Sequence, residues 1–316
     1  MEKLYKNYFE LIQRNDFKRF INDFSLKLYD ALSIGYANNN NEVALVTDLS
    51  NAINNTSFEN LNFHAFKIHG SKSYVEFQHK DKPTTKELAD MLIISIASYG
   101  RERVFQKVSF VQNKKETNQK WLIDEGQLFL LKNFPSITGS KGVLKNFYSD
   151  DKVDFINQFE SLGSYGLFLS PGDMILVSAK YIDALLDNKK VNLSKLKELN
   201  TQTNTPHPCF EEIIYMTHKY IRKFGYSYPF NNNLPFLTNS MFSSDISEFV
   251  KNWSLFNIGE PTFSFGNVHD ESLDRFVNYI LKSIGMNEYI DTKASNENIT
   301  FENSLIVTVL NYNIKK

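Results

Sequence analysis

The stretch ADMLIISIASYGRERVFQKVSFVQNKK, residues 89–115, predicts a long β-hairpin. Apolar residues lead into a polar segment that contains Gly100, and apolar residues resume after it, as expected for two strands joined by a turn. If the hairpin is symmetric about residue 101, Asp90 lies opposite Gln112. A carboxylate and a carboxamide are therefore expected to meet at the far end of an otherwise apolar ribbon.

The second strand is expected to bring a further polar group to the same place. Successive residues of a strand point to opposite faces of the sheet. Gln112 and Lys114 therefore share one face, whereas Asn113 and Lys115 point to the other. We expect Gln112 and Lys114 to act together, and Asn113 and Lys115 to stand apart from them.

An acid, an amide and an ammonium group at one point are suited to metal-dependent cleavage of phosphodiester bonds. Carboxylate and side-chain carbonyl oxygens are the hard ligands that Mg²⁺ or Mn²⁺ prefers, so Asp90 and Gln112 are the candidate metal ligands. Lysine is a point charge that can orient the attacking water and stabilise charge on the phosphoryl oxygens. That role is predicted for Lys114.

These residues resemble the motif of the PD-(D/E)XK nuclease superfamily, which has the restriction-endonuclease-like fold, in the variant where Gln replaces the second acid. Members carry an Asp at the start of one hairpin strand, and on the next an acid or Gln, any residue and Lys. Here these residues are Asp90 and Gln112-Asn113-Lys114. The similarity extends from about Asn40 to Pro135. It implies a magnesium-dependent or manganese-dependent endonuclease that cleaves DNA, of the kind that serves bacterial restriction or anti-phage defence.

The sequence departs from that pattern at two positions. No Pro precedes Asp90, and the neutral Gln112 removes one negative charge from the site, so a further acid is expected nearby. Glu42 is the preferred third metal ligand because it shares a helix face with apolar residues. A role as an acid that favours the macrodipole at the helix N-terminus is equally open for it. The less favoured substitutes are Glu76 and Glu87, and Glu10 falls on a solvated face.

Apolar periodicity divides the chain into a helical entry, a strand-rich middle and a helical last third. Helices are predicted over 2–34, with a break and cap at Asn15-Asp16, and over 42–53. Four strand blocks follow from about residue 61. Residues 121–135 are predicted to be a helix, and 165–178 two strands broken at Pro171-Gly172. Further helices are predicted at about 209–225, 243–253 and 269–284, with a closing strand from Ser304.

This order of elements predicts an α/β (α+β) protein with a central mixed sheet flanked by helices. The resemblance implies a restriction-endonuclease-like core, to which a mainly helical C-terminal elaboration is added. The expected division is a nuclease-like domain at 1–186, a linker or exposed excursion at 187–208, and a mainly helical region at 209–316.

Composition limits the partners and the setting of the protein. The formal net charge of −1 means that a nucleic-acid partner, expected to be DNA, would be held by a local basic patch. The single cysteine, Cys209, favours a reducing, cytoplasmic setting. The apolar runs are too short for a membrane-spanning helix, so no membrane partner is expected.

Other function classes have less support from the sequence. The histidines show no ligand pair at i, i+4 with a matching acid, and no G-x-S-x-G elbow of a serine hydrolase occurs. The alternative to a nuclease is a non-catalytic nucleic-acid-binding or scaffold subunit with a degenerate nuclease fold, and the neutral Gln112 motivates it. A homo-oligomer or a partner subunit from a defence system is compatible with either function.

Overall fold

The structure of the protein, a computed structural model, describes residues 2–68, 73–116, 118–148, 151–198, 204–206, 238–264, 267–286 and 305–314. Its helices are α1 (Glu2–Gln13), α2 (Asn15–Ala37), α3 (Glu42–Ile53), α4 (Glu125–Asn133), α5 (Val143–Tyr148), α6 (Ala179–Ala184), α7 (Leu193–Glu198), α8 (Ile246–Ser254) and α9 (Glu271–Ser283). Its strands are β1 (Thr56–Phe58), β2 (Leu61–Ile68), β3 (Tyr74–His79), β4 (Lys82–Glu87), β5 (Met91–Tyr99), β6 (Glu102–Lys115), β7 (Lys120–Leu122), β8 (Ile137–Lys141), β9 (Lys152–Val153), β10 (Gly163–Ser170), β11 (Asp173–Ser178), β12 (Lys190–Asn192), β13 (Asn204–Pro206), β14 (Thr238–Ser240), β15 (Phe242–Ser243), β16 (Glu260–Ser264), β17 (Asn267–Val268) and β18 (Leu305–Ile314).

Ten of the described strands pair into one mixed sheet. Its order is β1-β2-β18-β5-β6-β10-β11-β15, and β16 joins β6 beside β10 and pairs with β17. Strand β18 runs antiparallel to β2 and parallel to β5, while β6 runs antiparallel to β5 and parallel to β10. With helices packed on it, this sheet makes the chain an α/β protein with a central mixed sheet, as the sequence predicts.

The two faces of the main sheet bury different elements. Helices α1, α2, α3 and α8 cover one face, which we call the α3 face, and their buried side chains form one apolar cluster with Val111. Helices α4, α6 and α9 cover the other, the α9 face, together with the small sheet β4-β3-β8-β9, and this cluster contains Phe110. Burial on both faces explains why β5 is an almost continuous apolar run.

The central hairpin of β5 and β6 has the predicted register. Met91 pairs with Val111 and Leu92 pairs with Phe110, so Asp90, one residue before β5, lies opposite Gln112. The ladder continues past the start of β5, because Asp90 N donates to Val111 O at 3.1 Å. Gly100, in the turn, has a φ of +65°, which glycine adopts at little cost.

Helix α3 has the bounds that the sequence predicts. Asn41 caps it by accepting a hydrogen bond from Ala44 N at 3.0 Å. Its apolar face, with Val46 and Leu49, is buried against the main sheet, which points the N-terminal end of the helix toward the ends of β5 and β6. The break between α1 and α2 lies at Arg14, just before the predicted Asn15-Asp16.

Residues 121–135 are not one helix, although that is what the sequence predicts. Trp121 pairs with Val191 in the short sheet of β7 and β12, and α4 begins only at Glu125. The Asp124 side chain accepts from Gln127 N at 2.9 Å, so an N-cap separates the strand from the helix. The predicted pair of strands at 165–178 is confirmed as β10 and β11, and α6 follows.

The predicted linker at 187–208 is partly regular and partly buried. It contains β12, α7 and β13, and residues 199–203 and 207–208 lie outside the described ranges. Val191, Leu193 and Leu196 are buried and belong to the cluster on the α9 face. Three apolar side chains thus hold residues 191–196 of this lysine-rich segment against the core.

The C-terminal third contributes strands as well as the expected helices. Helices α8 and α9 match two of the predictions, whereas the helix predicted at 209–225 lies outside the described residues. Strand β16 pairs with β6, and the predicted closing strand, β18, lies between β2 and β5. Strand β18 is buried on both faces. Because β16 and β18 pair with strands of the N-terminal half, the described part of 209–316 belongs to the same main sheet.

One lysine lies inside the sheet. Lys107, in the middle of β6, is fully buried, and its Nζ donates to Asn239 Oδ1. Burial lowers the pKa of Lys107 to about 7, and the nearby Glu260 opposes that shift. The folded protein therefore disfavours the charged form of this side chain.

We expect Phe110→Ala to lower the free energy of unfolding by about 3–5 kcal/mol, since large-to-small changes in a core leave a cavity. The Phe110 ring is fully buried and lies near the rings of Phe134, Phe155 and Phe276. Urea unfolding measures the change. Leu122→Ala, at a position that is 66% exposed, is the control and should change the free energy by no more than about 0.5 kcal/mol. Equal effects of the two changes would contradict the packing described.

Lys107→Met should remove part of the pH dependence of stability. Because the folded-state pKa of Lys107 is depressed to about 7, the unfolded chain binds more protons than the folded chain at pH values above that. The free energy of unfolding of the wild type should therefore rise as the pH is raised through the mildly alkaline range. Urea unfolding across this range should show a smaller rise for Lys107→Met, and identical slopes would refute the assignment.

Candidate functional site

Two of the predicted site residues, Asp90 and Glu42, line a cavity beneath the start of α3, where several strands begin or end. The cavity has a volume of about 60 Å³, which is room for about two water molecules. Polar side chains from five elements or their flanks line it, namely those of Glu42, Lys67, Glu87, Asp90 and Asn113. The apolar part of the lining comes from α3 and from the start of β18.

Asp90 is fixed by hydrogen bonds to two strands. Its carboxylate oxygen Oδ2 accepts from Gln112 Nε2 and, at 2.8 Å, from Asn113 N. Its backbone oxygen accepts from Ile306 N of β18 at 3.2 Å, so β6 and β18 hold it from opposite sides. The two donors on one oxygen therefore fix the orientation of the carboxylate.

Gln112 lies beside Asp90, as the hairpin register predicts, but its amide nitrogen is the atom in contact with the acid. The side chain is buried on the α9 side of β6. Its Oε1 is buried and makes no hydrogen bond with the residues that the structure describes. Gln112 therefore orients the Asp90 carboxylate through its amide nitrogen, and the amide oxygen of Gln112 does not face that carboxylate.

Lys114 and Glu42 form an ion pair, and Glu42 also lines the cavity. Lys114 Nζ lies 3.2 Å from Glu42 Oε1, and each side chain is about one-third exposed. Exposed pairs of this kind are weak, about 0–1 kcal/mol, so the ammonium group can exchange its partner. The two residues that the sequence predicts from distant segments are thus in contact, and Glu42 shares the cavity lining with Asp90.

Asn113 occupies a position that sequence reasoning did not assign to the site. Alternation places it opposite Gln112, as expected, but the face to which it points is the α3 face that closes over the cavity. The side chain is fully buried, and neither Nδ2 nor Oδ1 has a hydrogen-bond partner within the described ranges. The sequence does show that Asn113 shares a strand face with the apolar Val111, which indicates that this face is buried. No sequence pattern indicates that α3 covers this face.

The alternative acids separate clearly. Glu87, at the end of β4, lines the cavity. Glu76 is exposed on β3, in the small sheet, and Glu10 is exposed and lies 3.8 Å from Lys6. Of the acids weighed from the sequence, Glu42 and Glu87 are therefore placed to share a ligand with Asp90, while Glu10 and Glu76 are not.

Lys115 and Glu116 surround this arrangement without lining the cavity. Lys115 Nζ donates to Asn40 O at 2.7 Å and lies 4.8 Å from the centre of the Tyr36 ring, which ties β6 to the turn before α3. Burial, followed by repulsion from Glu42, raises the pKa of Glu116, whereas Lys114 opposes the shift. Glu42 and Lys114 thus act in opposite directions on the pKa of this neighbouring carboxyl.

The donor set is chemically suited to a divalent cation. Carboxylates of Asp90, Glu42 and Glu87 and an amide of Asn113 are hard oxygen ligands, and Mg²⁺ commonly binds through one or two carboxylates while retaining waters. Within the described ranges, no three Asp, Glu, His or Cys side chains form a ready-made ligand group.

No helix in the described ranges is long and apolar enough to cross a membrane.

We expect Glu42→Gln to lower the pKa of Glu116, because the change removes a negative charge that raises it. Lys114→Met should raise the same pKa, since it removes the opposing positive charge. Carbon-detected NMR titration of the Glu116 carboxyl measures both shifts. Glu59→Gln is the control. Glu59 pairs with Arg14 away from the site, so this change should leave the pKa of Glu116 unchanged. Shifts of the same sign in the two test variants would show that the charges do not act as described.

Comparisons with protein-family models, curated proteins and solved structures give no match for this chain. Membership of the PD-(D/E)XK superfamily is accordingly a resemblance carried by Asp90, Gln112 and Lys114. What the site does is inferred from the geometry of its own residues.

Proposed function

We propose that this protein is a metal-dependent nuclease that hydrolyses phosphodiester bonds in DNA. The observation that carries the proposal is the contact of Asp90 with Gln112 next to the ion pair of Lys114 with Glu42. These four residues come from α3 and from the two strands of the hairpin, and two of them line one small cavity. Two hydrogen-bonded polar pairs beside one cavity support a functional role, because clefts with a few convergent polar groups are the usual place for a binding or active site.

Each residue has a role that its position allows. Asp90 and Glu42 would hold Mg²⁺ or Mn²⁺, and Gln112 was expected from the sequence to be a further ligand. A cation at this point would supply Lewis-acid stabilisation and a bound water of lowered pKa. Lys114, which is paired with the cavity-lining Glu42, would orient the attacking water and stabilise charge on the phosphoryl oxygens after exchanging Glu42 for the substrate.

The order of elements around the site supports a restriction-endonuclease-like core. Helix α3, strand β2, the Asp-bearing start of β5 and the Lys-bearing end of β6 follow one another as the resemblance implies, with β3 and β4 set aside in the small sheet. Strand β18 is inserted between β2 and β5. A role in bacterial restriction or anti-phage defence follows from the resemblance alone, because a fold does not determine a function.

A second candidate function has one observation in its favour. Gln112 is neutral and its amide nitrogen faces Asp90, while Lys114 is paired with Glu42. A site in this state could bind nucleic acid or a partner subunit without holding a metal ion tightly. The chain would then be a non-catalytic nucleic-acid-binding or scaffold subunit.

We expect the purified protein with Mg²⁺ or Mn²⁺ to nick or degrade plasmid DNA. Asp90→Ala and Lys114→Ala should each reduce the rate by at least about 100-fold, because they remove a metal ligand and the group that stabilises developing charge. Binding of the same DNA, measured by fluorescence anisotropy with Ca²⁺ in place of Mg²⁺, should change little. Gel analysis of the plasmid forms measures cleavage.

Lys120→Ala is the matched control, since Lys120 is an exposed lysine of β7 outside the cavity lining. It should retain the wild-type rate. If the wild type binds DNA but leaves DNA and RNA intact with both metals, the second candidate function is favoured. Equal cleavage by the wild type, Asp90→Ala and Lys114→Ala would exclude the site as the source of activity.

A further inference from the structure

Asn113 is an unusual residue in the core because its amide is buried without being satisfied. Its side chain has no exposed surface, and both Nδ2 and Oδ1 lack a hydrogen-bond partner among the described residues. Buried polar side-chain atoms are nearly always bonded to protein, water or an ion. An amide that has no partner among the described residues and lines a cavity is therefore suited to a ligand that enters that cavity.

The surroundings of Asn113 identify the kind of ligand. The acidic residues Asp90 and Glu42 line the same cavity, and the backbone N of Asn113 donates to Asp90 Oδ2 at 2.8 Å. The cavity that these residues line has a volume of about 60 Å³, which is enough for a small cation and a water or two. Oxygen ligands of this kind are preferred by Mg²⁺ and Mn²⁺.

The amide can present its oxygen to the cavity without losing a contact. Because neither end makes a hydrogen bond to a described residue, a half-turn about the Cβ–Cγ bond breaks none. Gly166 lies beside Asn113 on β10, and a Cβ at that position would clash with Asn113 Oδ1. The glycine thus provides the space in which this amide lies and turns.

Gln112 lacks this option. Its Nε2 already donates to Asp90 Oδ2, and turning the amide would bring its oxygen against a carboxylate oxygen. Its side chain also lies on the face of β6 opposite to Asn113. Gln112 is accordingly a positioning residue that fixes the Asp90 carboxylate.

We propose that Asn113, and not Gln112, supplies the amide oxygen to a divalent cation held by Asp90 and Glu42. The inference rests on the proposed metal-dependent function and assigns the neutral ligand of that same site. It divides the two amides of the Gln112-Asn113-Lys114 segment between two tasks. One amide orients the acid and the other binds the cation.

The test is a titration of the metal-free protein with Mn²⁺ in the absence of nucleic acid. Electron paramagnetic resonance measures the unbound Mn²⁺ at each point. Asn113→Ala should weaken the affinity by about tenfold or more, the loss of one ligand interaction of about 1.4 kcal/mol. Asn113→Asp should restore it, since a carboxylate supplies the same oxygen. Gln112→Ala should weaken it less than Asn113→Ala, because it removes an orienting contact and not a ligand.

Asn313→Ala is the matched control. Asn313 also has a buried oxygen without a partner among the described residues, but it lies at the other end of β18, opposite Ser98. The Asn313→Ala protein should bind Mn²⁺ with the same affinity as the wild type. Circular dichroism of each variant verifies that the fold is retained.

The outcomes distinguish the two proposals. If the wild type binds Mn²⁺ and Asn113→Ala binds it equally well, the assignment of Asn113 is overturned while the proposed nuclease stands. If Gln112→Ala loses far more affinity than Asn113→Ala, Gln112 is the ligand and the inference fails in the same way. If the wild type binds no Mn²⁺, both the assignment and the metal-dependent function fall.

Discussion

The pairing of β5 with β6 is the constraint on which the rest of the site depends. Its register brings Asp90 to Gln112, and the ladder bond from Asp90 N to Val111 O fixes the acid at the end of the sheet. A shift by one residue would exchange the faces of every side chain in one strand. The site would then lose Asp90, and the apolar residues of β5 would meet the wrong set of helices.

The helices on the α3 face turn this strand register into a cavity. Because Val46 and Leu49 pack on the sheet, the start of α3 is held over the strand ends, and Glu42 reaches Lys114. The same packing encloses Asn113. Apolar contacts thus bring together charged groups and an amide that has no hydrogen-bond partner in the described part of the chain.

The sequence predicts the local parts of this arrangement well. The hairpin, its register and the bounds of α3 follow from turn residues and from the spacing of apolar residues, which act over short distances. The strands β10 and β11 follow from Pro171-Gly172 in the same way. Asp90 and Gln112 are therefore placed together correctly without knowledge of the fold.

Longer-range features escape such reasoning because they depend on which elements pack together. Alternation separates Asn113 from Gln112, but only tertiary packing decides that α3 covers the Asn113 face. Likewise, the apolar sequence of β18 predicts a buried strand and does not state its neighbours. The lysines around Val191 similarly hide a short strand and helix that a few apolar residues attach to the core.

The position of β18 gives the protein a particular order of assembly. Ile306 N binds Asp90 O, so the backbone of the acid is completed by a residue that leaves the ribosome more than 200 positions later. Pairings between segments so far apart carry a large loop-closure cost and form slowly. We therefore expect the N-terminal helices and the hairpin to exist for a time in the nascent chain with an unfinished cavity. The cavity would be completed only when synthesis has reached the last described strand.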